Sequence, residues 1–204
     1  MSLRSVFKKK SLGILVHPSS LPGGSYCGTF GEGAKDWIKR LCKHKIKYWQ
    51  FLPLTPTDST GSPYSSPSSF ALNPWFLDIH KLIESQFIIS SNEKDLQSIN
   101  KNEDHFNFDL ANNISENLGE YLLVDWESQS EERKTDFYIW NKKNNWVEEY
   151  SIFMVIRKEF NMLPWWEWPF EFKQKKNEFI KTWIKDKKNE MLKTKLIQWH
   201  LDKQ

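Results

Sequence analysis

The chain has 204 residues, which is enough for one sizeable domain or two small ones. Its 29 basic residues are nearly balanced by 26 acidic ones, and the lysines are scattered along predicted helix faces, so the charge argues against a nucleic-acid-binding protein. The two cysteines form no CxxC pair and the longest apolar runs are too short for a signal-peptide core or a membrane span, so we expect a soluble, cytoplasmic protein with reduced thiols.

The first third of the chain predicts a strand–helix–strand unit. Residues 12–17 are a short apolar run that ends at a loop rich in Pro, Ser and Gly, which predicts a buried strand. Residues 34–45 predict an amphipathic helix, whose apolar face consists of Ala34, Trp37, Ile38, Leu41 and Cys42. Residues 48–54 are almost continuously apolar, as parallel strands covered on both faces are. We therefore expect two parallel strands joined by a right-handed helical crossover.

Both predicted strands lead into long loops at the same, C-terminal edge of the sheet. In parallel sheets and barrels this edge is where binding and catalytic sites are built. The second loop contains GSPYSSPSSFALNP, residues 61–74, which has three prolines, five serines and almost no charge. Rigid prolines and small residues suit a preformed wall of a site. Tyr64 in this loop is a candidate for stacking on a sugar or hydrogen bonding to it, and packing within the loop is the alternative.

The rest of the chain predicts mostly helices. Residues 89–118 are rich in Asn, Ser, Asp and Glu and predict a surface connection, and residues 171–200 predict a last amphipathic stretch. The segment LPWWEWP, residues 163–169, interrupts the helical pattern because prolines stand near both of its ends. Its three tryptophans have two interpretations, a sugar-binding platform or core packing against a helix, and core packing is favoured.

Few residues suggest chemistry by themselves. His17 ends the first predicted strand, where a barrel histidine can contact substrate, and a hydrogen-bonded structural histidine is the alternative. Paired carboxylates roughly 5–10 Å apart would indicate glycoside chemistry. The acidic residues near the loops are Glu32, Asp36, Asp58 and Asp78, and none of them ends a strand in the way that a catalytic acid of a barrel does.

Several segments together resemble the N-terminal part of 4-alpha-glucanotransferase (amylomaltase, disproportionating enzyme; glycoside hydrolase family 77). These segments are GILVHPSSLPGG, YWQFLPLTPT, GSPYSSPSSFALNP and WVEEYSIFMVIRKEF with WWEWP, in the order and spacing of the family. The resemblance is dense over residues 12–79 and looser over residues 137–201, and the block around SPY is its most specific part.

The resemblance implies an α/β fold, namely a partial (β/α)8 TIM barrel that holds about the first two strands, with a mostly helical insertion. Residues 1–80 would form the first βα units, including a substrate loop at residues 55–74. Residues 81–204 would form the helical insertion subdomain that leads to a third strand outside this chain.

The family transfers a segment of an α-1,4-glucan to a new 4-OH position by retaining double displacement, without a metal or organic cofactor. The resemblance implies that Tyr64, with Ser62 beside it, contacts the sugar next to the scissile bond, and His17 is a third predicted substrate-binding residue. The family's nucleophile, acid/base and transition-state-stabilising carboxylates lie on later strands. We therefore expect no catalytic residue in this chain and no activity from it alone.

Two alternatives stay open for a chain with these features. One is a non-catalytic glucan-binding protein, and the other is a split enzyme whose remaining strands come from a second polypeptide. The expected partners are α-1,4-glucans and maltooligosaccharides, not nucleic acid or a membrane. Family members often carry an aromatic residue five positions before the SPY tyrosine, in a loop linked to a secondary glucan site. Here that position is Ser59, so such a site would lack this aromatic ring.

Overall fold

A pair of short parallel strands and a layer of helices make up the computed structural model of the chain. It describes residues 10–24, 26–58, 60–89, 108–174 and 178–204, and all structural statements below concern these ranges. The strands are β1 (Gly13–Leu15) and β2 (Tyr48–Gln50). The helices are α1 (Glu32–Lys43), α2 (Ile79–Glu84), α3 (Phe108–Val124), α4 (Glu131–Lys143), α5 (Trp146–Glu159), α6 (Phe170–Lys173), α7 (Glu178–Asp186) and α8 (Lys188–Lys203). Single 3-10 turns occur at Pro18–Ser20, Pro74–Phe76 and Trp165–Glu167.

The strand–helix–strand unit is confirmed. β1 and β2 pair in parallel with Ile14 opposite Trp49, and α1 connects them. One further backbone bond, from the Val16 N–H to the Gln50 carbonyl at 3.0 Å, extends the ladder at the C-terminal edge. Both loops that follow the strands therefore leave from one edge, as the sequence predicted.

The burial of these strands was predicted wrongly. The apolar run 12–17 predicted a buried strand and the run 48–54 a strand covered on both faces, but Leu15, Tyr48 and Phe51 are 55%, 44% and 45% exposed. In the described ranges β1 and β2 have only each other as strand neighbours. Their side chains are exposed because burial needs covering layers that these residues do not supply.

Helix α1 has the predicted position but buries only part of its predicted face. Ala34 and Leu41 are buried, whereas Ile38 and Cys42 are exposed. Glu32 lies in its first turn and Lys43 in its last, where the helix dipole favours each charge. The exposed half of the face lies on the same unit as the exposed strands, so this unit is only partly covered.

The main hydrophobic core lies between residues 71–88 and helices α3, α4 and α8. Trp199 of α8 is fully buried near its centre, with ring centroids 5.6 Å from Phe87, 6.3 Å from Trp126 and 5.4 Å from Phe137. Such edge-to-face aromatic contacts add about 0.5–1.5 kcal/mol per pair beyond burial. This core includes residues from both of the predicted domains.

The surface connection predicted at residues 89–118 is wrong for residues 108–118, which form the first part of helix α3. This helix begins at Phe108 and buries Ala111, Ile114 and Leu118, which recur every three or four residues among polar neighbours. The polar composition hid this apolar face from the prediction. The remainder of the predicted connection, residues 90–107, lies outside the described residues.

The predicted C-terminal stretch, residues 171–200, is divided into α6, α7 and α8. A second, smaller core forms here from Ile156, Trp168, Phe172 and Ile180. None of the described helices is both long and apolar enough to cross a bilayer.

Gln198 of α8 and Gln204, the residue that caps its C-terminus, hold residues 72–78 at the end of the second loop. The Leu72 N–H donates to Gln198 Oε1 at 2.9 Å, and Gln198 Nε2 donates to the Leu72 carbonyl at 2.8 Å. Gln204 binds the backbone of Asp78 in the same two-bond manner, at 2.8 and 3.2 Å. We call these four bonds the glutamine clamps. They satisfy the backbone N–H and carbonyl of Leu72 and the N–H of Asp78, and they add a second bond to the Asp78 carbonyl, which also accepts from the Leu82 N–H.

We expect Gln198→Ala to lower the free energy of unfolding by about 1–3 kcal/mol, because it leaves both backbone groups of Leu72 without their partners next to the core. Urea unfolding followed by tryptophan fluorescence measures the change. The exposed Gln174→Ala is the matched control and should stay within about 0.5 kcal/mol of the wild type. A Gln198→Ala variant as stable as this control would contradict the role of the clamp.

His200 of α8 is a buried titratable group. Its ring lies 4.4 Å from the Phe87 ring and 4.6 Å from that of Trp199, and the residue is 3% exposed. Burial lowers the pKa of His200 to about 3, and the cations of Lys203 and Arg133 act in the same direction. The unfolded chain therefore binds a proton near its ordinary pKa of 6.5, while the folded chain does not.

This difference in the pKa of His200 between the folded and the unfolded chain predicts that the folded protein loses stability in acid. The stability that depends on neutral His200 is complete above pH 6.5 and is lost as the pH falls toward 3, by up to about 1.4 kcal/mol per pH unit. His200→Phe keeps a ring in the core and should remove this part of the slope in urea unfolding measured at several pH values. The exposed His80→Phe is the control and should keep the wild-type slope. Parallel slopes for wild type and His200→Phe would contradict this assignment.

Candidate functional site

His17 joins the loops that follow the two strands. Its Nδ1 lies 2.8 Å from Ser19 Oγ and accepts from the Ser19 N–H at 3.4 Å, while Nε2 makes a long 3.5 Å contact with the Pro53 carbonyl. Its ring also packs 5.5 Å from the Phe76 ring. Burial lowers the pKa of His17, and the bond to Pro53 opposes this shift. The ring therefore bridges the two loops.

We call residues 55–74, which follow β2, the SPY loop. Its tip is a turn held by Asp58, whose Oδ1 accepts from the Thr60 N–H at 2.9 Å and from the Thr60 hydroxyl at 2.5 Å. The Asp58 N–H donates to the Ser65 carbonyl at 3.0 Å and closes the turn. Hydrogen bonds from the side chains of Ser65 and Thr60 lower the pKa of Asp58, and the charge of Arg157 adds to this. Asp58 thus acts as a structural anion of the loop.

The serines of the SPY loop bind its own backbone. Ser66 Oγ donates to the Ser68 carbonyl at 2.8 Å, and Ser68 Oγ accepts from the N–H groups of Phe70 and Ala71 at 3.2 and 3.1 Å. Short polar side chains hold irregular backbone in this way when no ladder is available. The uncharged Ser/Pro composition that marked this loop in the sequence therefore shapes it.

Tyr64 projects from this loop. It is 75% exposed, so packing within the loop is not what holds its ring, and its hydroxyl has no hydrogen-bond partner in the described ranges. Ser62 lies next to it and accepts from the Tyr64 N–H at 3.3 Å. The structure thus brings Tyr64 and Ser62 together on one turn. Ser59, the position of the missing aromatic, lies outside the described residues.

The base of the SPY loop is anchored to the end of the β2 segment and to helix α5. The Asn73 N–H donates to the Leu54 carbonyl at 2.8 Å, which closes the loop on the end of the β2 segment. On the other side, the Phe70 ring stacks on Trp146 of α5 at 6.2 Å. Together with the glutamine clamp on Leu72, these contacts fix the loop against the helices.

A cavity of about 760 Å³ lies between the SPY loop and helices α3, α5 and α8. The residues that line it include Pro56 and Asp58 of the loop and Tyr150, Met154 and Arg157 of α5. Among the described residues, its lining does not include His17, Ser62 or Tyr64. The predicted site residues therefore lie outside this cavity, on the loop and strand ends.

Two polar groups of the cavity wall were not singled out by sequence reasoning. Burial raises the pKa of Tyr150 far above its usual range, the charge of Arg157 opposes this, and its hydroxyl has no bond to another described residue. No described side chain bonds the Arg157 guanidinium either. These groups can hydrogen-bond a polar ligand, but they are not an acid–base pair. Neither residue belongs to a motif that the sequence analysis singled out for its chemistry.

The acidic residues near the loops all have structural partners. Glu32 pairs with Lys35 at 2.5 Å and Asp36 with Lys39 at 2.9 Å, both on the surface of α1. Asp78 is buried, caps α2 by accepting from the Lys81 N–H, and accepts from the Thr29 hydroxyl. Within the described ranges no three His, Cys, Asp or Glu side chains come together as metal ligands would.

The SPY loop, the strand ends and the helices behind them can be compared with known proteins. The family model for 4-alpha-glucanotransferase matches residues 16–204. The chain belongs to the 4-alpha-glucanotransferase family. A 4-alpha-glucanotransferase from Clostridium butyricum is 34% identical over 165 residues, which are 81% of this chain and 33% of that relative. One from Thermus thermophilus is 29% identical over 174 residues, which are 84% of this chain and 34% of that relative.

Part of a solved amylomaltase structure has a similar fold. The amylomaltase from Streptococcus agalactiae in complex with acarbose matches with a TM-score of 0.86 at 25% identity, over 96% of this chain and 39% of that one. The resemblance predicted from the sequence blocks is therefore confirmed. The chain spans about a third of the length of the curated relatives it matches.

The turn at Gly61 gives a prediction for the SPY loop. Gly61 has φ +70°, and a Cβ there would lie 2.0 Å from Cε1 of Phe108. Gly61→Ala should lower the free energy of unfolding by more than about 1 kcal/mol, because both the backbone and the contact are strained. In the Gly61→Ala variant, a second substitution of Phe108→Ala should relieve the close contact and restore part of the lost stability, while the strain of the positive φ remains.

Urea unfolding measures both variants, with the exposed Ser69→Ala as the control inside the same loop. The control should differ little from the wild type. If Gly61→Ala matches the control, the turn does not constrain the loop as described.

Proposed function

We propose that these residues work as the N-terminal portion of a 4-alpha-glucanotransferase, which transfers a segment of an α-1,4-glucan to a new 4-OH position by retaining double displacement. The observation that carries this proposal is the match of the family model over residues 16–204. In such a reaction one carboxylate forms a covalent glycosyl intermediate, and a second carboxyl group acts as acid and then as base.

In this proposal the SPY loop is one wall of the glucan site. The exposed ring and free hydroxyl of Tyr64 support contact with a sugar ring, and Ser62 lies beside it on the same turn. Both ring nitrogens of His17 already have partners, which favours a role in holding the loops over direct contact with substrate. The described acidic residues near the loops serve caps, turns and surface pairs. We therefore propose that the 204-residue chain does not catalyse by itself.

The proposed architecture is a partial (β/α)8 barrel. Residues 1–80 would supply its first βα units, and residues 81–204 a helical insertion. The exposed apolar side chains on β1, β2 and α1 support this, because further barrel strands and helices would cover them. We place the protein in the cytoplasm, acting on α-1,4-glucans and maltooligosaccharides.

The exposed strands β1 and β2 also fit a second candidate function, that of one subunit of a split enzyme. An unpaired parallel strand can accept a neighbour from another polypeptide as well as from its own chain. A split enzyme, in which a second polypeptide supplies the later strands, would therefore cover the same side chains. A non-catalytic glucan-binding role needs only the Tyr64 surface.

The test is a disproportionation assay with maltotriose. The 204-residue chain alone should yield no longer or shorter maltooligosaccharides, whereas a chimera with the downstream two-thirds of the Clostridium butyricum relative should yield both. In the chimera, Tyr64→Ala should lower kcat/KM at least about tenfold, which corresponds to about 1.4 kcal/mol, and Tyr64→Phe should lower it less.

Tyr138→Ala is the matched control, since Tyr138 is 58% exposed on α4, away from the SPY loop in the chain. It should leave kcat/KM unchanged. New products from the chain alone would refute its predicted inactivity. A chimera that Tyr64→Ala and Tyr138→Ala affect equally would refute the role of the SPY loop.

A further inference from the structure

Two tryptophans of the segment LPWWEWP are largely exposed. Trp165 is 54% exposed and Trp166 is 62% exposed, whereas Trp168 is 5% exposed. Core packing, which the sequence favoured for all three, is correct for Trp168 and wrong for the other two. Large exposed aromatic surfaces on a folded protein commonly mark a binding site, because leaving them in water is unfavourable.

The turn that carries these two indoles is well anchored. Trp168 Nε1 donates to the Leu163 carbonyl at 2.9 Å, and the Trp168 ring packs 5.3 Å from that of Phe153 in the smaller core. Pro164 and Pro169 flank the turn, and each fixes its own φ angle. The exposure of the two indoles is therefore a property of an ordered turn.

Trp165 and Trp166 form an aromatic corner. Their ring centroids are 6.0 Å apart and their planes meet at 82°. Neither indole N–H has a hydrogen-bond partner among the described residues. The exposed carboxylate of Glu167 follows directly on the same turn. The corner thus combines apolar ring surface, two free donors and one acceptor.

We propose that Trp165 and Trp166 form a surface site for an α-glucan, separate from the SPY loop. A glucosyl ring presents C–H groups on its faces and hydroxyl groups around its rim. The indole surfaces can pack on the C–H groups, while the two N–H donors and Glu167 bind the hydroxyls. Two planes at a steep angle suit a curved chain, whose successive rings are tilted relative to one another.

The charge of the turn favours this ligand over an anion. The exposed Glu167 places negative charge on the same turn as the indoles, which disfavours a phosphate or an acidic peptide. An uncharged polyol meets no such repulsion. The choice of an α-glucan rests on the proposed function, since it is the polyol that a 4-alpha-glucanotransferase handles.

The test is a calorimetric titration of the 204-residue chain with maltoheptaose. The wild type should bind saturably, and the Trp165→Ala/Trp166→Ala double variant should bind at least about tenfold more weakly. Tyr138→Ala, which removes an exposed aromatic elsewhere, is the matched control and should bind like the wild type. A thermal melt of each variant checks that all of them are folded.

Absence of wild-type binding, or equal binding by the double variant, would overturn the proposal. So would a double variant that changes only the sedimentation behaviour of the chain, since the corner would then be a protein interface. Failure of the proposed function has a different signature, because it appears in the maltotriose products and in the effect of Tyr64→Ala. The two experiments therefore distinguish a failure of this proposal from a failure of the proposed function.

Discussion

The contact on which this structure depends is the pair of glutamine clamps between the C-terminal part of α8, with its cap Gln204, and residues 72–78 at the end of the SPY loop. Gln198 and Gln204 are six residues apart, as are the residues they bind, Leu72 and Asp78. Six residues span about 9 Å of helix but about 20 Å of extended chain. The 3-10 turn at Pro74–Phe76 lies between the two bound residues and shortens the segment, so both ends can meet one helix.

This constraint connects the sheet edge to the helices. Since Leu72 is held by α8 and Asn73 by the Leu54 carbonyl, the SPY loop begins and ends on fixed points. The side chains of its serines and of Asp58 then accept hydrogen bonds from backbone N–H groups of the loop itself. The loop therefore needs no bound ligand to keep its shape, and Tyr64 is left exposed for contact with one.

The sequence predicted those features that depend on local pattern. The strand–helix–strand unit follows from apolar runs and a helical face, and the SPY loop from its prolines and serines. The burial of Leu15 and Phe51 was predicted wrongly because it depends on covering layers, which a local pattern cannot specify. The polar composition of residues 108–118 concealed the start of α3. The sequence did not predict the glutamine clamps, because nothing in it distinguishes the buried Gln198 from a glutamine on the surface.

The central claim is that these residues work as part of a longer glucanotransferase, whose remaining strands cover β1, β2 and α1. The most direct test is the mass of the native polypeptide in its source cells, found by detecting peptides of this chain in size-separated extracts. If these residues are part of a longer enzyme, we expect a species well above the 24.4 kDa of these 204 residues. A species at 24.4 kDa alone would contradict it and would favour the glucan-binding or split-enzyme alternatives.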